Sequence, residues 1–555
     1  MRRLWFWSGL ATVLVLNLWL RGHAFGPAVR AGTGLNLYLA TSPEPEPLDC
    51  DEAIYGFIGG RIARGAVMYR DLTENKPPGG YWLYALAVAA GGPHELTVRL
   101  MPIPFVLATT VLVALVGRKL RGIVSGLLAA LLFALMSTDP FLYGESANME
   151  HMVNLFAFAS LALVIAAWGR RGRGLLIAAG AAVALACLVK QTAALHGPVL
   201  ALALLLRRQV PSADGTTERS WEARLLDVAA LALGFVVVAT LAVLVLVAQG
   251  AGAQAFDDIV RYGGALASQT PPPPGAPPFA LRWLTGNADP RGQLPWPFGT
   301  TDYLVWWGTG TWPLWLASLP ALAWLLLGRA ADGPRRLVAA WTLSAWVQVA
   351  LPGLFWQHYY LLPVPGLALA VAVFLADQAA LARPRSWRRL PHLMVVLSLL
   401  AAVVWTVRLQ VVEYLLVPPE ELVRDRGGRQ WVVDRALGRE LARRAVVLER
   451  PTLFVWGWQG PLYFYSGLEG VTPQVFVDDF LKNFAGTDHP LVRPRVERTL
   501  RDLRTNPPSL IFTGYPPFPA LRALLEERYV PSRVAPGLWV ERSRYGAFES
   551  FGSRP

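Results

Sequence analysis

The residues with the most chemical potential lie in one stretch, Asp51–Tyr81, DEAIYGFIGGRIARGAVMYRDLTENKPPGGY. It holds four carboxylates, Asp51, Glu52, Asp71 and Glu74, and four cations, Arg61, Arg64, Arg70 and Lys76. A carboxylate held beside a substrate hydroxyl can take its proton. A cation held in a fixed place can bind a phosphate through charge-assisted hydrogen bonds. Lys76 precedes Pro77-Pro78, and two consecutive prolines fix the direction of the chain. Proton abstraction and phosphate binding are the chemistry these types and spacings suit.

Each of these residues also has a plainer reading. Asp51 suits the N-cap of a helix running to about Arg64, with Glu52 in its first turn. Ile54, Phe57, Ile58 and Ile62 fall on one face of that helix, the pattern of an amphipathic helix lying on a membrane surface. Lys76 also reads as an interfacial lysine that stretches its amine to water.

The rest of the chain must position this stretch, and its composition says how. Of 555 residues, 54% are hydrophobic and only 16% charged, which suits a polytopic membrane protein and not a soluble enzyme. The net charge of +13 does not mark a nucleic-acid binder, because the arginines gather in short loops between apolar runs. Runs long enough to cross a bilayer fall near 4–20, 97–117, 122–138, 151–168, 174–189, 192–206, 226–249, 303–327, 337–354, 359–380 and 391–416. Lys190-Gln191 interrupts the fifth and sixth. The first run is longer than a signal-peptide core and lacks a small-residue cleavage site, so it reads as a retained span.

With the N-terminus inside, every Arg-rich loop falls on the cytoplasmic side, from Arg118/Lys119/Arg121 to Arg383/Arg385/Arg388/Arg389. The segments 21–96 and 250–302 then lie outside, as does everything after the eleventh span. The proline run Pro271–Pro274 in the second of these reads as a stiff connector. From about 418 the apolar runs shorten to strand length, at Thr452–Trp456, Gln474–Val477 and Ser509–Phe512, with helix-like stretches at Arg493–Leu503 and Ala520–Glu527. That alternation predicts a small α/β domain over 418–555, beside a membrane module over 1–417. The two cysteines, Cys50 and Cys187, make neither a disulfide framework nor a zinc site. Trp306, Trp307, Trp312 and Trp315 read mainly as an interfacial belt.

Several motifs in this order carry a resemblance. Asp51-Glu52 with Tyr55, then Tyr69-Arg70-Asp71, then Lys76-Pro77-Pro78 resembles the first outer loop of the GT-C-fold glycosyltransferases of the protein-mannosyltransferase and aminoarabinose-transferase type, a group similar to glycosyltransferase family 39. GESANMEH, with Glu145, Asn148 and Glu150, resembles their second outer loop. Lys190-Gln191, the run His358-Tyr359-Tyr360, and VWGWQGPLYFYSG at 455–467 resemble later signatures of bacterial members. The chain lacks the large lumenal insertion of the eukaryotic protein mannosyltransferases, so the acceptor is not carried over.

The resemblance implies a GT-C-type fold with about eleven transmembrane helices and an outer α/β domain. It also implies transfer of a sugar from a polyprenyl-phosphate donor to an extracytoplasmic acceptor, whether protein, lipid or envelope glycan, at the outer face of the plasma (inner) membrane. On these positions Asp51 would be the base, with Glu52 beside it. Lys76 would meet the donor phosphate, with Arg70, Arg61 and Lys190 as further candidates. Tyr55, Glu145, Glu150 and Tyr359 would face acceptor or sugar. Glu74 and His358 are the candidate ligands for a divalent metal ion. One base with direct displacement would invert the anomeric centre, by analogy with inverting glycosidases. Two other classes compete. A lipid or lipid-linked-glycan transporter would place its charges near the midplane in related halves, and none are visible here. An outer-face glycan ligase would lack the opening Asp51-Glu52…Lys76-Pro77-Pro78 pattern.

Overall fold

The computed structural model describes residues 2–22, 46–139, 142–168, 172–207, 209–212, 215–272, 278–285, 311–328, 332–382, 389–411 and 430–551. Pro273, Pro274, Trp306 and Trp307, and the 417/418 boundary, lie outside the described residues. The chain divides into two compact units. One comprises 1–46, 99–242 and 273–422, and the other 47–98, 243–272 and 423–555.

The first unit is helical. Six helices of the described chain are long and apolar enough to cross a membrane, among them Arg2–Gly22, Glu150–Ala167, Trp221–Ala248 and Leu390–Val411. Shorter apolar helices occur at Ile123–Ser137, Gly174–Val189 and Trp312–Leu327, and Gly333–Ala350 covers the ninth expected span. The protein is a multi-pass membrane protein, and the described part of each of the eleven expected spans carries helix. The break at Lys190 is real. The helix ends at Val189, Lys190 is extended, and a 3-10 turn Gln191–Leu195 leads into His196–Leu206.

With little hydrophobic drive between helices in lipid, close backbone approach has to come from small residues. Gly180 and Gly234 supply it. A Cβ on Gly180 would sit 1.8 Å from the Leu231 carbonyl oxygen, and one on Gly234 would sit 1.8 Å from that of Ile177. Two aspartates gather the arginines of several short loops. Asp227 pairs with Arg173, Arg207 and Arg219, and Asp377 with Arg121 and Arg335. The arginines that mark topology in the sequence therefore also tie helix ends together.

The second unit holds the small sheet. After a hairpin of β1 (Gln209–Ser212) and β2 (Gly215–Glu218) in the first unit, the strands β3 (Thr452–Trp456), β4 (Glu469–Gly470), β5 (Leu510–Thr513), β6 (Tyr529–Pro531) and β7 (Leu538–Glu541) lie in the order β4-β3-β5-β7-β6. β3 runs parallel to β4 and β5, while β7 is antiparallel to both β5 and β6. The expected strand at Gln474–Val477 does not form. Gln474 instead spends its side chain on the Phe476 carbonyl, and Val475 and Val477 pack inward as irregular chain. Helix Arg493–Thr505 lays Val496, Thr499, Leu500 and Leu503 on the core at helical spacing and leaves most of its arginines to solvent. The core also takes Tyr262 and Ala265 from the 252–269 segment.

The helix that opens the polar stretch departs from expectation twice. It spans Cys50–Ala63, and its N-cap is Asp49, not Asp51. Asp49 Oδ1 accepts from the Glu52 amide at 2.8 Å and the Glu52 carboxylate accepts from the Asp49 amide at 3.0 Å, a reciprocal capping box. The helix is also not an amphipathic surface helix. Cys50 and every residue from Glu52 to Gly60 are buried. Its isoleucines lie on one face, but Gly56 and Gly59 open the others to neighbours. A Cβ on Gly59 would meet the Tyr84 backbone at 2.8 Å, and one on Gly56 would meet Phe464 at 2.9 Å. Phe57 stacks on Tyr463 at 4.9 Å.

Candidate active site

In the second unit, the capping box leaves Asp51 half-buried in the first turn of its helix, while Glu52 is fully buried and spent on the cap. One turn on, Tyr55 meets the edges of Tyr81 and Tyr84, each with ring centroids 5.6 Å away. Lys76 Nζ lies over the Tyr55 ring at 5.3 Å and 3.7 Å from Glu74 Oε1. Tyr69 donates its hydroxyl to the Lys76 carbonyl at 2.8 Å. Residues from both ends of the polar stretch thus converge on Tyr55. Burial, and then the nearby Glu74, push the Tyr81 and Tyr69 hydroxyls well above their usual range.

Arg70 forks onto Asp71, at 3.0 and 2.9 Å, and holds its carboxyl below the usual carboxylate range. That guanidinium is exposed and engaged with its neighbour. Arg61 sits in the last turn of the helix, within electrostatic reach of Asp71 and Tyr463. Lys76 is therefore the cation of the stretch that best combines partial burial with an aromatic platform.

In the first unit, three motifs far apart in sequence come together. Lys190 Nζ is 2.5 Å from Glu150 Oε1 and 3.5 Å over the Tyr359 ring. His358 packs edge-on to Tyr359 at 4.7 Å and faces Tyr143 at 6.5 Å. The helix ends at Val189, and the extended Lys190 that follows it is buried. Glu145 is buried nearby in sequence, and Asn154 donates to the Leu361 carbonyl at 2.8 Å. Lys190 thus meets a carboxylate before it could meet any phosphate.

Three of the four non-glycine residues with positive φ among the described residues lie in or beside these motifs. They are Tyr69 at 68°, Tyr143 at 53° and Phe355 at 53°. Such conformations are strained for side chains with a Cβ and concentrate where function over-determines the backbone.

Sequence reasoning passed over several neighbours. Tyr84 packs edge-on against Tyr55, and Asn148 is buried with neither side-chain atom hydrogen-bonded. The buried Asp258 pairs with the partly buried Arg495. The run Asp257-Asp258 is visible in the sequence, but its partner is more than two hundred residues away and no local pattern links them. Of the two candidate metal ligands, Glu74 pairs with Lys76 and accepts from the Asn75 amide, and His358 packs against Tyr359. Among the described residues no group of three His, Cys, Asp or Glu side chains is arranged to hold a metal ion.

Residues 75–243 match a family profile described as dolichyl-phosphate-mannose-protein mannosyltransferase. No curated protein sequence matches the chain. Among solved structures, ArnT from Cupriavidus metallidurans bound to undecaprenyl phosphate is similar at a TM-score of 0.55 and 16% identity, covering 96% of this chain and 97% of that one. The oligosaccharyltransferase AglB from Archaeoglobus fulgidus, in complex with an inhibitory peptide and a dolichol-phosphate, is similar at a TM-score of 0.53 and 12% identity. That match covers 92% of this chain and 69% of that one. The similarity extends over nearly the whole of this chain, and the chain has the GT-C-type fold of membrane glycosyltransferases.

Proposed function

We propose that the protein is a membrane glycosyltransferase that moves a sugar from a polyprenyl-phosphate donor to a hydroxyl of an extracytoplasmic acceptor. The observation that carries this reading is the Asp51–Tyr55–Lys76 arrangement: a half-buried carboxylate and a cation over an aromatic ring, one helical turn apart, on a fold shared with a protein solved with undecaprenyl phosphate bound. Asp51 takes the acceptor's proton as its oxygen attacks the anomeric carbon. The bond from that carbon to the phosphate oxygen breaks, and the electron pair leaves with the polyprenyl phosphate. Lys76 neutralises the charge that builds there. A single displacement of this kind inverts the anomeric centre.

No nucleotide is needed, because the lipid phosphate is already an anionic leaving group. The working face is the extracytoplasmic side of the plasma membrane, in keeping with the arginine distribution. Protein, lipid and envelope glycan all qualify as acceptors. The test incubates purified protein with synthetic polyprenyl-phosphate sugars of different head groups and follows release of lipid phosphate. Release dependent on Asp51 supports the reading. Binding and movement of the intact lipid-linked sugar without bond cleavage would support a transporter instead. Chelation and add-back of divalent ions in the same assay decides whether a metal assists.

A further inference from the structure

The loop that carries Lys76 does not hold its own shape. Between Val67 and Pro78 its internal backbone bonds are few, chiefly Tyr69 to Leu72 and Asp71 to Val67. From inside the loop, the Tyr69 hydroxyl fixes the Lys76 carbonyl at 2.8 Å. A second support comes from chain 400 positions away in the same unit. The Thr73 amide donates to the Pro473 carbonyl at 2.9 Å. The Thr73 hydroxyl lies 3.1 Å from that same oxygen and 3.0 Å from Gln474 Oε1, so its proton has an acceptor in both. Two other ties, from Arg70 to the Gln249 carbonyl at 3.4 Å and from Arg498 to the Arg70 carbonyl at 3.2 Å, are longer and exposed. Thr73 is half-buried and Gln474 is buried, so water competes less for their bonds.

The segment that receives Thr73 is held by its own side chains. The Thr472 hydroxyl accepts from the Gln474 amide and donates to the Gln474 carbonyl, each at 3.1 Å. Gln474 Nε2 donates to the Phe476 carbonyl, which leaves Oε1 as the end that meets Thr73. A flipped carboxamide would set oxygen against the Phe476 oxygen, two acceptors with no proton between them. Val475 and Val477 are buried, and the Phe476 ring lies 6.0 Å from that of Trp458. Packing and local hydrogen bonds therefore make Thr472–Val477 an anchor, and Thr73 ties the loop to it three residues before Lys76. The Glu74–Lys76 turn runs between two pins, Thr73 at one end and the Tyr69–Lys76 bond at the other.

We propose that Thr73 and Gln474 are positioning residues that hold the Glu74–Lys76 turn where the Lys76 amine meets the donor's phosphate, an inference that rests on the proposed function above. Both act through the backbone that carries Lys76. The chain after β4 thereby takes part in donor binding without supplying a phosphate ligand of its own.

The experiment measures binding of a synthetic polyprenyl phosphate to the purified full-length protein for Thr73→Val, Thr73→Ser and Gln474→Leu. It is combined with amide hydrogen exchange over residues 69–76 and over β3 and β5. Thr73→Val keeps the size and the amide bond but loses the hydroxyl, and Thr73→Ser keeps the hydroxyl. Thr73→Val and Gln474→Leu should each weaken binding roughly fivefold, the net worth of one hydrogen bond, and Thr73→Ser should stay close to wild type. Exchange should quicken over 69–76 in the two weakened variants and stay unchanged in the strands, which separates positioning from unfolding. In a Lys76→Ala background, Thr73→Val should weaken binding no further. Wild-type affinity in both Thr73→Val and Gln474→Leu, equal losses in Thr73→Ser and Thr73→Val, or an undiminished loss in the Lys76→Ala background would overturn the inference. If the wild-type protein does not bind polyprenyl phosphate at all, the donor reading falls. The exchange comparison would then still decide whether Thr73 and Gln474 order this loop, and unchanged exchange would reject that too.

Discussion

Asp51 and Asp49 divide between them two roles that the sequence assigned to one residue. Asp49 caps the helix and Glu52 closes the capping box, so the cap does not depend on Asp51. Asp51→Asn should therefore leave folding and donor binding close to wild type while turnover drops about 10²–10⁴-fold, the usual worth of a general base. Single-turnover rates with a synthetic donor check this. Near-normal rates would move the base to Glu145 or Glu150. Lys76→Ala removes the cation over Tyr55, and loss of a charge-assisted hydrogen bond of about 1.5–3 kcal/mol corresponds to roughly 10–150-fold weaker lipid-phosphate binding. Lys76→Arg should recover part of that. Titration of polyprenyl phosphate into both variants is the measurement, and equal affinity in Lys76→Ala and wild type would shift attention to Lys190. Lys190 is the weaker candidate because Glu150 already meets its amine at 2.5 Å.

At the scale of elements, helix Asp479–Phe484 is capped by Asp478, which accepts from the Leu481 amide at 2.7 Å and from Tyr262. Burial pushes this carboxyl up to about 6, against its hydrogen bonds and Arg495, and with the repulsion of Glu74 behind it. The folded value lies above the unfolded one of roughly 4. The group's stabilising share is therefore fully present below about pH 4 and lost as pH rises through about 6. Asn can keep both the cap and the bond from Tyr262 without a charge. Asp478→Asn should thus raise the thermal midpoint more at pH 7.5 than at pH 5, and flatten its dependence on pH between the two. Thermal scans in detergent at both values decide it, and parallel pH slopes for variant and wild type would refute the assignment.

At the scale of the whole molecule, the eleven spans and the arginine loops predict a topology. Reporter fusions or cysteine labelling should place residues 51–76, 257–269 and 430–551 outside, and the loops near Arg118 and Arg336 inside. A cytoplasmic signal from residue 540 would break the odd span count and, with it, the extracytoplasmic site. Asp227 and Asp377 bear on the same point. They pair with arginines from loops expected on one side of the membrane, as that topology requires.

Spans, their order and the strands at Thr452–Trp456 and Leu510–Thr513 are legible in the sequence because they rest on local composition: about twenty apolar residues cross a bilayer wherever they occur. The motifs are legible too, since Asp51, Tyr55 and Lys76 lie within one stretch and Lys76 stands against its prolines. Capping was misassigned by two residues because Asp49 and Asp51 are equally good caps, and only the reciprocal bond with Glu52 separates them. Burial of the Cys50–Ala63 helix escaped periodicity because Gly56 and Gly59 read as gaps in a pattern, whereas in the fold they admit Phe464 and Tyr84. The meeting of Glu150, Lys190 and Tyr359, and the pairing of Asp258 with Arg495, join residues 40 to 237 positions apart. No local rule encodes such contacts. They exist because packing brings the helices that carry them side by side, and a buried charge must then find its partner.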